Sequence, residues 1–463
     1  MRTLPKYKPY GRSLLRRCFP GTLLALLPLA SGCIAESGDC PEDISDQDIT
    51  VSLVIEGGLP SQTRADEFTE EQGSLAESYI NIDDLYVLAF EIGEGKDVAD
   101  GDSELKDIIW SPDAAQRLPE SVISSNGTQV LLRTFLSSLD YDTSTPFSIV
   151  TIANTENWLA DSDTGFSLTT KKEADADGTK TKQATKLSEL QKVLSYTKAI
   201  GESASGVANT SWVPDNAASS GIPLFGIKRT TLAGYNNKFH SSANPYPLGT
   251  IWMLRTLAKV EIYVADGVNK AIESANVIVG GWNTDLHLIP FQNANPADLN
   301  RMEGYSTSDS SNYGSTGQVT LAPDFTNTNF TPSSSTSPLA MTQTTRVIDG
   351  VEKQVFVAYL PEYTLTGTFT GGEVARNDII RVKFTDNGQE YPLAIAPYTD
   401  GNPGNQDVAH WQYLLRNHIY RFAITGVLDD KVQLIVKLMP WTAMDVNPVF
   451  PGEGYPEIPE PTN

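Results

Sequence analysis

Cysteine, histidine and basic residues are scarce in this 463-residue chain, and each shortage removes a class of function. Of the three cysteines, Cys18 lies in a leader-like N-terminus and Cys33 at its end, so Cys40 has no internal partner. A disulfide framework and zinc sites built on cysteine pairs are excluded, and stability must come from burial. The four histidines, His240, His287, His410 and His418, have no ligand neighbour at helical or hairpin spacing. His418, close to Tyr420 in a strand pattern, reads as a packed residue. The Gly-x-Ser-x-Gly elbow, the phosphate loop and the dinucleotide fingerprint are all missing. No enzyme and no cofactor are therefore expected, and scattered carboxylates of the kind a glycosidase uses have no pattern to support them. Asp83-Asp84 are adjacent in a strand pattern, so their side chains point to opposite faces and cannot share a proton.

Basic residues number 34 against 57 acidic ones, and six of the 34 precede Cys33 with no acid among them (Arg2, Lys6, Lys8, Arg12, Arg16 and Arg17). From Cys33 onward the balance is 28 against 57, a net charge near −29. Such a field repels nucleic acid and anionic lipid and favours solubility at a cell surface.

A basic start, an apolar stretch from Gly21 to Ala30 and the small residues Ala30-Ser31-Gly32 before Cys33 form the three-part layout of a secretory signal. The apolar stretch is too short to span a bilayer. Small residues before a thiol are what lipoprotein processing requires, so Cys33 is the expected lipid attachment site and residues 1–32 the signal. Several acyl chains would make the anchoring stable. The alternative is an ordinary cleaved signal with an incidental cysteine. Both send the chain out of the cytoplasm.

What remains reads as all-β, divided into two parts by its length. Between Ile251 and Asp266 the even positions carry Trp252, Leu254, Thr256, Ala258, Val260, Ile262 and Val264, while Arg255, Lys259 and Glu261 fall on odd ones. Period two predicts a half-buried strand or a bent pair. The same alternation marks Tyr420–Ile424 and Val432–Leu438, and shorter runs predict strands at 49–56, 79–91, 129–139, 147–154, 355–360, 378–384 and 391–395. Asn126-Gly127, Asp349-Gly350 and Asn387-Gly388 supply turns between them. The main helical exception is Ala184–Ile200, where Leu187, Leu190 and Leu194 make one apolar face. A polar passage runs through Lys171–Lys180, a Pro, Asn and Ser-rich one from Asn236 to Gly249 marks the expected domain boundary, and Ser306–Ser337 suits a solvated excursion. Residues 447–463 carry five prolines and read as an extended tail. Carboxylates at Asp97, Asp100, Asp102, Glu104 and Asp107 alternate as in a calcium loop but lack the glycine at its sharp turn, so a solvated acidic loop is the expectation.

Several stretches, taken in order, resemble the fimbrillin family of the Bacteroidales, the subunits of protease-activated type V pili with their anchor and tip relatives. They are Cys33 followed by Asp39-Cys40-Pro41, the strand Ile49–Glu56, Thr63-Arg64-Ala65 and Ile80–Phe90, then Ile222-Pro223-Leu224-Phe225-Gly226 and Leu254–Val260. Tyr359-Leu360-Pro361-Glu362, Arg416-Asn417-His418-Ile419-Tyr420 and Pro440-Trp441 complete the set. The resemblance implies two Greek-key, transthyretin-like β-sandwich domains, here 65–245 and 246–446, with 33–64 as a propeptide-like segment holding the first strand. It implies an outer-membrane lipoprotein precursor cut by an arginine-specific protease between Arg64 and Ala65. Partners would be other fimbrial subunits, with a role in adhesion to surface glycans or proteins. From the residues alone Arg64 is equally a plain surface arginine in a polar loop. The prolines beyond Trp441 would interrupt a donor strand, which favours a tip, anchor or minor subunit over a shaft, although Met444–Phe450 remains a short donor candidate. A surface glycan-binding lipoprotein is the reading from another class.

Overall fold

The computed structural model describes residues 48–58, 71–72, 74–96, 99–118, 121–155, 167–179, 181–191, 193–195, 209–210, 213–214, 221–282, 285–289, 337–361, 363–364, 379–393, 413–414, 416–428 and 431–442. Within them the chain is an all-β sandwich protein with short helices only.

The first sandwich pairs a four-stranded sheet with a five-stranded one. In the smaller sheet Asp48–Glu56 lies between Gln129–Ser137, antiparallel, and Tyr246–Trp252, parallel, with Val122–Ser125 beyond Gln129–Ser137. In the larger, Phe147–Ala153 runs at the centre between Leu85–Glu91 and Leu224–Thr230, flanked by Leu105–Trp110 and Leu254–Arg255. Alternate residues of both sheets face each other, as the two-residue period of a strand requires. Ile49, Val51, Leu53 and Ile55 thus meet Leu85, Val87, Ala89, Ile149, Val130 and Leu132 in one core. The opposite face of the five-stranded sheet is also covered, by Leu168, Leu187, Leu190, Leu288 and Ile289.

The second sandwich has a six-stranded sheet with Leu257–Val264 between Val351–Pro361 and His418–Leu428. Thr342–Ile348 lies outside Val351–Pro361, and Lys431–Thr442 outside His418–Leu428. A five-stranded sheet built on Ile272–Val277, Ile380–Phe384 and Glu390–Leu393 packs against it. The Asp349-Gly350 turn has both residues at positive φ (53° and 78°), the geometry of a two-residue hairpin turn that matches strand twist.

Several expectations need correction. The run 251–266 is neither one strand nor a bent pair: Tyr246–Trp252 and Leu254–Arg255 complete the two sheets of the first sandwich, and the chain enters the second only at Leu257. Nor is it half-buried, because Arg255, Lys259 and Glu261 are as buried as the apolar residues between them. Of the expected helix at 184–200, the described residues form a 3-10 turn, Leu187–Gln191, and the strand Val193–Ser195 paired with Asp285–His287, while 192 and 196–200 lie outside the described residues. Leu187 and Leu190 on this turn share the sealing of the sheet face with Leu168, Leu288 and Ile289 from other stretches of chain. Asp83-Asp84 belong to a 3-10 turn, Ile82–Asp84, rather than a strand; Asp84 is buried and accepts a hydrogen bond from Thr155 Oγ1 at 3.0 Å. The polar passage at 171–180 begins with a helix, Lys171–Ala176, closed by a capping box between Thr170 and Glu173.

Candidate functional site: the seat of the N-terminal strand

Asp48–Glu56 is an interior strand of its sheet, paired with Gln129–Ser137 at nine successive positions. Its four inward side chains are at most 3 % exposed. Alternating β-branched and leucine residues make this a strand, and the core it enters makes the register unique, since a slip of one residue would turn all four outward. At its end Glu56 accepts a hydrogen bond from Gln129 Nε2 at 2.9 Å, and the Glu56 carbonyl accepts one from the Met253 amide at 2.8 Å. Beyond Gly58 lie residues 59–70, outside the described set. The chain reappears at Glu71–Gln72, paired in parallel with Trp441–Thr442 at the far edge of the six-stranded sheet. Leaving the strand, it has crossed from one sandwich to the other.

Arg255 occupies the crossing. It is fully buried, and its guanidinium donates to five acceptors from four stretches of chain. Nε reaches the Glu77 carbonyl at 2.7 Å, Nη1 the Trp441 carbonyl at 2.9 Å and Asn417 Oδ1 at 3.2 Å, and Nη2 reaches Ser78 Oγ at 2.8 Å and the Gly57 carbonyl at 3.3 Å. The Trp441 ring covers the guanidinium at 4.4 Å. Burial pulls the Arg255 pKa down to about 10 against the opposing pull of Glu77 and Tyr359, so the side chain stays charged at neutral pH.

A chain of ion pairs continues from there. Lys259 Nζ lies 2.7 Å from Glu77 Oε1 and 2.8 Å from Glu261 Oε1. Tyr359 Oη donates to Glu77 Oε1 at 2.5 Å, and Arg421 donates to Glu261 Oε2 through Nε at 2.8 Å and Nη2 at 2.6 Å. Arg346 Nη1 pairs with the other Glu261 oxygen. Burial would raise both carboxylates, but the cations around them prevail and hold Glu77 and Glu261 down at about 2. Burial and Glu77 together push Tyr359 well up, so it remains a donor.

A depressed carboxylate pKa stabilises the fold above its unfolded value of 4.5 and loses that contribution as pH falls toward about 2. Thermal stability is therefore expected to fall steeply between about pH 4.5 and 2, by roughly 3 kcal/mol for each carboxylate taken alone, and to be flat in this respect from pH 5 to 8. A scan of melting temperature against pH checks this.

The five motifs quoted above from 254–260, 359–362, 416–420, 440–441 and the strand 49–56 converge here: Arg255, Lys259, Tyr359, Asn417 and Trp441 line the crossing around Gly57. Asn417 sits at positive φ (56°) so that its amide meets the Leu257 carbonyl while its own carbonyl accepts the Trp441 amide. His418 is buried, with Nδ1 2.7 Å from the Arg416 carbonyl, as a packed residue. Glu77 and Ser78, which complete the network, carry no motif in the sequence. The signal that exposes the rest is three charges inside an otherwise apolar strand run.

Cys33, Arg64 and Ala65 lie outside the described residues, as do the signal, Asp97, His410 and Met444–Phe450. In the acidic loop the carboxylates face lysines: Asp100 pairs with Lys96 (3.1 Å), Asp102 with Lys186 (3.3 Å) and Glu104 with Lys171 (2.7 Å). No cluster of three metal-ligating side chains occurs among the described residues.

No protein-family model matches the sequence, and no curated protein sequence matches it. Solved structures that resemble the chain include two at low identity. One is a fimbrial assembly protein from Parabacteroides distasonis, 14 % identical, covering 85 % of this chain and all of its own, with a TM-score of 0.35. The other is a candidate adhesin from Bacteroides ovatus, 10 % identical, covering 83 % of this chain and 95 % of its own, with a TM-score of 0.27.

Proposed function

We propose that this chain is a fimbrial subunit of the cell surface, delivered to the outer membrane as a lipoprotein through Cys33 and made competent for assembly by a cut between Arg64 and Ala65. The observation that carries the reading is the seat of Asp48–Glu56. It is an interior strand joined to the following strands of the fold through the polar segment containing Arg64. A cut there leaves the strand held by non-covalent contacts alone: a nine-position ladder at about 1 kcal/mol net per hydrogen bond, and four inward side chains at about 1.5–3 kcal/mol each. Any strand that offers the same contacts can replace it by β-augmentation, and an empty slot would be an aggregation hazard.

A tip, anchor or minor subunit fits better than a shaft. The last described strand, Lys431–Thr442, is paired from Lys431 to Pro440 with His418–Leu428 in its own sheet, and the residues after it are rich in proline. Arginine-specific proteolysis is expected to yield a new N-terminus at Ala65, found by mass spectrometry, and SDS-resistant assemblies with partner subunits. Arg64→Ala is expected to abolish both. Cleaved protein that never accepts a strand would overturn the assignment.

A second reading, a surface glycan-binding lipoprotein, is favoured by one place. Near the start of the N-terminal strand an open groove is lined by Ile49, Tyr141, Asp142, Tyr235 and Asn237. Beside it Tyr235 and His240 stack at 5.6 Å, and Phe239 is 70 % exposed. Tight binding of intact monomer on a glycan array, with no assembly after cleavage, would select it.

A further inference from the structure

The N-terminal strand ends against a fixed wall. A side chain at residue 57 would put its Cβ 2.0 Å from the Ser78 carbonyl oxygen and 2.9 Å from the carbonyl carbon. Ser78 has little freedom to retreat: its hydroxyl accepts from Arg255 Nη2, its amide donates to the Ser74 and Leu75 carbonyls at 3.1 and 3.2 Å, and the adjoining Glu77 carbonyl accepts from Arg255 Nε. The same Nη2 reaches the Gly57 carbonyl, while the Gly57 amide donates to the Thr128 carbonyl at 2.9 Å. Residue 57 is thus recognised by its amide, its carbonyl and the absence of a side chain.

We propose that Ser78 and Arg255 form an end stop that selects the strand able to occupy this slot. The occupant needs apolar residues at four alternate positions and a glycine two residues after the last of them, running in the direction of Ile49–Gly57. The proposal rests on the strand-exchange reading and adds to it the sequence that the exchanged strand must have.

The chain's own tail comes near that pattern. Met444, Val446, Phe450 and Gly452 share the spacing, but Pro448 would fall in the place of Leu53 and Pro451 in the place of Glu56. The Gly57 amide points to the Gln129–Ser137 side, so by the alternation of an antiparallel ladder the Leu53 amide points there too, and that of Glu56 points to Tyr246–Trp252. Each proline would remove one ladder donor, one on each flank. The occupant assigned is therefore a proline-free strand of a different subunit.

The test uses the full chain with a site for a sequence-specific protease placed in segment 59–70, so that it does not depend on Arg64. After cutting, fluorescent peptides of residues 48–58, the same peptide with Gly57→Ala, and residues 443–453 are offered, and entry is followed by gel and anisotropy. The unaltered peptide is expected to enter, and the alanine peptide to bind about tenfold to a hundredfold more weakly, the cost of overpacking a site that cannot relax. The 443–453 peptide is expected to bind more weakly than 48–58. Equal entry of the first two overturns the end stop while leaving strand exchange standing. Entry of 443–453 as well as 48–58 overturns the assignment to a different subunit. If no peptide enters, strand exchange itself fails, and Gly57→Ala in the uncut chain still reads the stop: an unchanged melting temperature overturns it.

Discussion

Arg255→Met is expected to cost about 3–5 kcal/mol of unfolding free energy, the range for removing one partner from a buried charged network. Methionine restores much of the volume and none of the donors. Five acceptors lose the guanidinium as a donor: the Gly57, Glu77 and Trp441 carbonyls, Ser78 Oγ and Asn417 Oδ1. Each buried acceptor left bare adds a desolvation penalty that a surface acceptor would not. Arg255→Lys is expected to recover little, because one ammonium cannot span acceptors arranged around a planar fork. Urea unfolding followed by tryptophan fluorescence checks both variants. A loss under 1 kcal/mol for Arg255→Met would mean that the crossing between the sandwiches is held by its apolar contacts alone. The same variant is expected to loosen the N-terminal strand selectively, so amide exchange should rise first at residues 48–58.

Glu261→Gln is expected to be of similar size, about 3–5 kcal/mol, with the opposite charge imbalance. Glu261 is fully buried and accepts from Lys259, Arg346 and Arg421. The amide is nearly the same shape but carries no charge, so among the described residues Lys259, itself 1 % exposed, is left with Glu77 as counter-ion, and Arg421 loses its pairing with the Glu261 carboxylate. Adding Arg421→Met is expected to return part of the loss, because the second change removes the charge the first one stranded. That non-additivity is what separates a coupled network from independent contacts. Two costs that simply summed would show the ion pairs to be energetically separate.

The sequence was most legible where a strand has one wet face or a hairpin one tight turn. Ile49–Glu56 was expected and is observed as Asp48–Glu56, and Asn126-Gly127, Asp349-Gly350 and Asn387-Gly388 all sit at hairpin turns with glycine at positive φ. It misled where a second layer replaces water. In Leu257–Val264 the polar residues Lys259 and Glu261 have the spacing of a solvated face, and only the chain around them, from Glu77, Arg346, Tyr359 and Arg421, converts that face into an interior. No local pattern reports such distant partners. Leu105–Trp110 and Ile272–Val277 carry no strand signal in the sequence for a related reason: Lys106-Asp107 and Glu273-Ser274-Ala275-Asn276 break the apolar alternation, while pairing on neighbouring strands holds the segments extended. The leucines at 187, 190 and 194 satisfy a helical period over too few residues to distinguish one tight turn from a true helix.

The acceptors of Arg255 also set an order of events. Gly57, Ser78, Asn417 and Trp441 emerge at widely separated moments of synthesis, and the N-terminal strand cannot be flanked on both sides until Tyr246–Trp252 has been delivered. Contacts of such long sequence separation form slowly, because the loop between them must be closed first. Asp48–Glu56, made before nearly all of its partners, is thus among the last strands to be locked, and a chain that stops short of Trp441 leaves it without its complete end wall.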